Sequence, residues 1–299
     1  MKNKIAFFGA SVTQQSNGYS DHFRGLNPSF EVSSFGHGSM HLNDAGVCYI
    51  DSVLEYEPEY CFIDWFSTGY IEYNKHKFDE IKSYIDTILY KFLSNDIKLI
   101  FLTFPDVSMN SFTNEPVNKK EIYKKINDYI VTIGIPTIDI SESFDDLNII
   151  LRDGIHTTPY GSEQYGKLIS EEFNKNIHNK IEIPETYPPK NKYCEINTLD
   201  LNATISKKIV FDGESEIIGI SQTIGPYSGL LRVNGDVINN WDRWCYYERP
   251  MVNLKFTVNG NSELEILEDD FDRSVCEHNC NWGVKKLLKI KTIYYSNNN

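Results

Sequence analysis

Between Ile5 and about position 179, short apolar runs alternate with longer stretches in which apolar residues recur every three or four positions. The runs Ile5–Phe8, Phe30–Ser34, Tyr60–Trp65, Lys98–Phe104 and Thr137–Ile140 predict strands. The stretches His41–Glu57, Phe78–Ser94 and Val117–Gly134 predict helices between them, and Gly161–Ile177 predicts a last one. In the third stretch Ile122, Ile126, Tyr129, Ile130 and Ile133 form one stripe suited to packing on a sheet. Strands and helices in alternation predict an α/β domain, a parallel sheet with helices on both faces.

From about Tyr193 the helical period fades. Short Val, Ile, Leu and Tyr runs follow, broken by Val210-Phe-Asp-Gly213, Val233-Asn-Gly235 and Val258-Asn-Gly260, which are hairpin signals. Between the two patterns lies Ile183-Pro-Glu-Thr-Tyr-Pro-Pro-Lys190, whose three prolines predict a stiff, extended connector. The expected organisation is an α/β domain at 1–182, a linker at 183–192 and a smaller all-β, sandwich-like domain at 193–299.

Composition narrows the function. The 299 residues, 40% of them hydrophobic, suffice for two cores. Forty-two Asp and Glu against 29 Lys and Arg give a net charge of −13, which repels polyanions, so no nucleic-acid partner is expected. No apolar run reaches the roughly 18 residues of a membrane span, and no membrane partner is expected. The apolar stretch after Met1-Lys2-Asn3-Lys4 is short for a signal peptide, so a cytoplasmic location is expected. The six cysteines are scattered and are expected to be reduced. Cys276-Glu-His-Asn-Cys280 groups three soft ligands, but only Cys245 offers a remote fourth. Free thiols or a local disulfide are therefore expected there, and no metal. The aromatic and arginine cluster Trp241–Pro250 suits the faces of sugar rings, yet equally fills a sandwich core or an interdomain seam.

Two segments carry candidate chemistry. The first strand runs into Gly9-Ala10-Ser11-Val12-Thr13, which places Ser11 at the carboxyl end of the sheet, where ligands bind in open α/β folds. A serine there is read as a helix cap or turn residue as readily as a nucleophile. The second is Arg152-Asp153-Gly154-Ile155-His156, just before the last helix. A serine hydroxyl needs an imidazole to take its proton, and that imidazole needs an acceptor on its other nitrogen. Asp153 is near enough in sequence to be that acceptor, although an Asp-Gly turn before a helix also needs no chemistry to explain it.

Together, Phe7-Phe-Gly-Ala-Ser-Val-Thr13 and Asp153-Gly-Ile-His-Thr-Thr-Pro-Tyr-Gly161 resemble the first and last sequence blocks of the SGNH (GDSL) hydrolase family, over about residues 4–180. The resemblance implies a flavodoxin-like fold, with Ser11 as nucleophile, His156 as general base and then acid, and Asp153 orienting His156. Phe35-Gly36-His37-Gly38-Ser39 is similar to the second block, which implies that a glycine N–H joins that of Ser11 in holding the oxyanion. Gly36 is the preferred donor and Gly38 the alternative.

Two departures stand out. Ala10 replaces the usual Asp, and Ser67-Thr68-Gly69-Tyr70 stands where the family carries Gly-x-Asn-Asp, whose Asn also donates to the oxyanion. Loss of one such donor costs about 10²- to 10³-fold in rate. Either another group replaces it or hydrolysis is slow; His37, His41, Asn43, Trp65 and Thr68 are the candidates. Gln14 and Gln15 either line the pocket or start a helix. Asp64 is a pocket candidate or a hydrogen-bonded buried carboxylate, and Thr68 and Gly69 complete the expected pocket.

The expected function is a serine esterase acting through an acyl-enzyme, without a cofactor, on a small O-acyl ester, with an O-acetyl group on a glycan as the expected case. A carbohydrate O-acyltransferase on the same scaffold and a glycan-binding protein with little catalysis are the alternatives.

Overall fold

The computed structural model describes residues 3–38, 45–64, 78–105, 120–178, 180–195, 197–203, 207–225, 228–239, 241, 249–253, 256–268, 270, 272 and 289–297. The chain divides into two compact units, Met1–Cys194 and Glu195–Asn299.

In the first unit β1 (Lys4–Gly9), β2 (Glu31–Gly36), β3 (Tyr60–Asp64), β4 (Lys98–Thr103) and β5 (Thr137–Asp139) form one parallel sheet in the order β2-β1-β3-β4-β5. That is the flavodoxin order. Central strands of such a sheet are covered on both faces, which is why β3 is buried at every position and reads as an unbroken apolar run up to Asp64.

The helices of this unit are α1 (Ser11–Gln14), α2 (Tyr19–Leu26), α3 (Ala45–Leu54), α4 (Phe78–Leu93), α5 (Lys120–Ile133), α6 (Leu147–Ile150) and α7 (Pro159–Glu172), the last extended by a π-helical turn, Phe173–Ile177. On one face Phe7 and Phe62 stack at 4.6 Å, with Phe23 of α2 edge-on to Phe7 and Phe173 edge-on to Phe62. On the other face Phe8 meets Phe92 of α4 edge-on at 6.1 Å. The sequence pattern does not predict α1, α2 or α6. Two of these are single turns, and α2 shows only the pair Tyr19 and Phe23 as its aromatic face.

The Pro-rich stretch ends in a segment fastened to α4. Asn191 accepts a hydrogen bond from Thr87 and donates one to the Ser83 carbonyl, both at 2.9 Å, and Tyr193 stacks on Tyr84 at 4.8 Å. The division between the units accordingly falls after Cys194.

The second unit is a smaller antiparallel sheet. It contains β6 (Asn197–Ala203), β7 (Lys207–Ile224), β8 (Leu230–Val233), β9 (Asp236–Asn239), β10 (Arg249–Asn253), β11 (Phe256–Leu267) and β12 (Lys289–Asn297), in the order β6-β12-β7-β11-β8-β9 with β10 also on β7. One of the three hairpin signals is a hairpin: Asn234 and Gly235, with φ of +51° and +97°, join β8 to β9. The other two differ from expectation. Asp212-Gly213 and Asn259-Gly260 lie inside β7 and β11, where the ladder shifts register between Asn259 and Asn261. Glycine serves a bulge as well as a turn, and the pattern alone does not distinguish them. No helix among the described residues is long and apolar enough to cross a membrane.

Candidate active site

The sheet delivers Ser11 to its carboxyl rim. β1 ends at Gly9, and Ala10 turns the chain into α1 without a side-chain cap bond. Ser11 follows as the first helical residue, and its hydroxyl lies 2.9 Å from Nε2 of His156. Below it, Thr13 Oγ1 donates to Asp64 Oδ2 at 2.9 Å and lies 2.7 Å from the Tyr19 hydroxyl. Ser34 Oγ donates to the Thr13 carbonyl at 2.8 Å. Asp64 is fully buried and so lies beneath α1 instead of lining an open pocket. Burial, and then the charge of Asp64, push the Tyr19 hydroxyl well above its ordinary pKa.

Glycine is required at two of these contacts. A Cβ on Gly9 would overlap the Thr13 hydroxyl and Asp64, and one on Gly36 would overlap the backbone of Thr13 and Gln14. α1 therefore rests directly on the ends of β1 and β2.

His156 is placed by its own loop. Asp153 Oδ1 accepts the backbone N–H groups of His156 at 2.7 Å and Ile155 at 3.2 Å, across a turn in which Gly154 has φ of +82°. Asp153 Oδ2 lies 2.8 Å from His156 Nδ1. Burial alone would raise the Asp153 pKa, but the His156 ring and the two N–H groups outweigh it and hold the carboxyl at about 2. The loop is closed by a bridge between Leu151 and Thr157 and by Arg152 N–H donating to the His156 carbonyl at 2.9 Å. Thr158 then caps α7, accepting from Gly161 N–H at 3.0 Å, with Pro159 in the first turn. With Nδ1–H donated to Asp153, Nε2 presents its lone pair to the Ser11 hydroxyl, an arrangement able to deprotonate a serine.

The remaining expected residues fall in several places. The β1–β2 ladder takes the N–H groups of Glu31 and His37 toward β1, so by strand alternation the Gly36 N–H points away from it. Gly38 lies beyond the strand, and a Cβ there would meet Gln14 Oε1 at 3.0 Å. Gln14 is exposed, whereas Gln15 donates through Nε2 to the Thr157 carbonyl at 2.9 Å. His37 is engaged with α3: its ring stacks on Tyr49 at 3.7 Å and 10°, and burial pushes its pKa down to about 4. Its Nε2 is buried without a hydrogen-bond partner. Thr68, Gly69, Trp65, His41, Asn43, Cys245, Cys276, Cys280 and most of the Trp241–Pro250 cluster lie outside the described residues. Among the described residues no group of ligands is placed to hold a metal ion, and Cys48, Cys61 and Cys194 form no disulfide.

The flavodoxin-order sheet of this chain, with a smaller antiparallel unit after it, matches the SGNH-type α/β fold carrying an added β domain. Among solved structures, the chain is similar to a two-domain esterase active on acetylated mannans, crystallised with mannopentaose. The TM-score is 0.64 at 14% identity, covering 99% of this chain and 91% of that one. A second structure of a two-domain esterase of the same description matches with the same TM-score and coverage at 13% identity. A lipase/acylhydrolase from Enterococcus faecalis matches 62% of this chain and 100% of its own, at TM-score 0.49 and 18% identity. No protein-family model matches the sequence, and no curated protein matches it.

Proposed function

We propose that this chain is a carboxylic ester hydrolase that uses Ser11 as nucleophile and acts on small O-acyl esters of carbohydrates, chiefly O-acetyl groups. The observation that carries the proposal is the bonded chain from Asp153 Oδ2 through His156 to Ser11 Oγ, with contacts of 2.8 and 2.9 Å. As Ser11 Oγ attacks the ester carbonyl, Nε2 takes its proton. His156 returns that proton to the departing alcohol oxygen as the C–O bond breaks, which leaves Ser11 acylated. Water, deprotonated by His156, then attacks the acyl carbonyl, and His156 passes that proton to Ser11 Oγ as the acyl–Oγ bond breaks, which releases the carboxylic acid and restores the serine.

The N–H of Ser11, at the start of α1, and that of Gly38 are the proposed oxyanion donors. Gly38 is preferred to Gly36 because the ladder turns the Gly36 N–H away from the strand that carries Ser11. None of these steps calls on a metal or an organic cofactor. The carbohydrate part of the reading draws support from the fold shared with the two-domain esterase active on acetylated mannans.

The test pairs activity with labelling. Acetylated manno-oligosaccharides are expected to release acetate in water alone, and an organophosphonate is expected to modify the peptide containing Ser11. A label at another residue would overturn the nucleophile. Acyl turnover seen only when an acceptor glycan is added would make the protein a transferase.

A further inference from the structure

We infer that Gln15 is a positioning residue for the Ser11–His156 pair, an inference that rests on the proposed roles of those two residues. Gln15 closes the C-terminal end of α1, four positions after Ser11. Its side-chain amide grips one residue with both ends: Nε2 donates to the Thr157 carbonyl at 2.9 Å, and Oε1 accepts from Thr157 Oγ1 at 3.3 Å. Thr157 directly follows His156, is 1% exposed, and has its hydroxyl 2.6 Å from Ser162 Oγ on α7. The amide therefore joins the helix of the proposed nucleophile to the loop of the proposed base across 142 positions of sequence.

The pair needs such a joint because its own contact is interrupted in every cycle. Once Ser11 Oγ is acylated it has no proton to offer Nε2, so the 2.9 Å bond between them is lost at the stage when His156 must activate water. The Gln15–Thr157 contact takes no part in proton transfer and persists through the acyl-enzyme. α1 is otherwise tied downward to the sheet through Thr13 and Asp64, and the His156 loop is tied to itself and to α7. Gln15 spans the gap between these two bodies, and a displacement of about 1 Å there is enough to cost ~10²-fold in rate.

The test uses the full chain with p-nitrophenyl acetate and a fluorophosphonate, comparing wild type, Ser11→Ala, Gln15→Leu and Gln15→Glu. Leu keeps the bulk and removes both bonds; Glu keeps the shape and the acceptor but cannot donate to the carbonyl when ionised. Both Gln15 variants are expected to lose about 10- to 100-fold in kcat and in labelling rate, with KM within about twofold of wild type. If the Leu variant does not fold, the isosteric Glu variant carries the comparison. Labelling of the Gln15 variants at the wild-type rate, or a raised KM with unchanged kcat, would overturn the inference and leave the hydrolase reading intact. Undiminished labelling of Ser11→Ala would instead remove the reading on which it rests.

Discussion

The two sides of the proposed reaction centre are held by opposite kinds of structure. Ser11 sits on a platform of long-range contacts: two strand ends that must be glycine, and a fully buried Asp64 gripping Thr13 from 51 residues away. His156 sits on a local turn, where Asp153, only three residues earlier, supplies the partner for both its backbone and its ring. That side is open to solvent, with side-chain exposures of 27% for His156 and 49% for Asp153. The difference implies that damage on the serine side appears first as lost stability. Damage on the histidine side appears as lost chemistry in a folded protein.

The sharpest check is His156→Ala, expected to lower acetate release at least ~10³-fold while far-UV circular dichroism and thermal midpoint stay near wild type. Next is Asp153→Asn, which keeps the shape but removes the acceptor that selects the Nδ1–H tautomer. A fall of about 10²-fold or more in kcat is expected, again with the fold retained. On the other side, Gly36→Ala should reverse the pattern, because the new methyl meets α1 backbone, which cannot swing aside. Urea unfolding should report a loss of about 1–3 kcal/mol, and activity should fall with it. A Gly36→Ala protein of wild-type stability would break the comparison.

Two pH effects complete the series. His37 has its pKa pushed down to about 4 by burial, so between pH 6.5 and 4 the unfolded chain binds the proton more readily than the folded one. Wild-type stability should therefore decline as pH falls through that window. His37→Phe, which keeps a ring against Tyr49, should flatten the decline in denaturant titrations. The smallest effect belongs to Asp153. Its pKa is lowered from 3.8 to about 2, so its contribution to stability is complete above pH 4 and is lost as pH falls toward 2. Because the side chain is half exposed, solvent screens this contribution, and acid-unfolding curves of wild type and Asp153→Asn should differ only slightly.

The same contrast explains how much the sequence revealed. The central strands β1, β3 and β4 were legible because burial on both faces makes each a nearly continuous apolar run. Asp153 and His156 were legible because their partnership spans three residues. Asp64–Thr13 and Gln15–Thr157 were not, since a hydrogen bond between residues 51 or 142 positions apart leaves no periodicity or spacing to detect. Gly36 shows the intermediate case. Its glycine stands out in the sequence, but what fixes it is the helix resting on its Cα, which becomes visible only once β2 and α1 are packed together. In the second unit the Asp-Gly and Asn-Gly pairs stand out too, and only the ladder tells a bulge from a hairpin.

The place of β12 in its sheet bears on how the protein is made. β12, Lys289–Asn297, lies between β6 and β7 in the sheet, where β6 is the first strand of its unit. During synthesis β6 must wait for its partner until the chain through β12 has been translated and has left the ribosome. The preceding α/β unit is complete some hundred residues earlier and can fold ahead of it. Truncation before Lys289 would therefore strip an interior strand, take from β6 the strand it pairs with and open an edge on β7, the kind of surface that recruits other nascent chains.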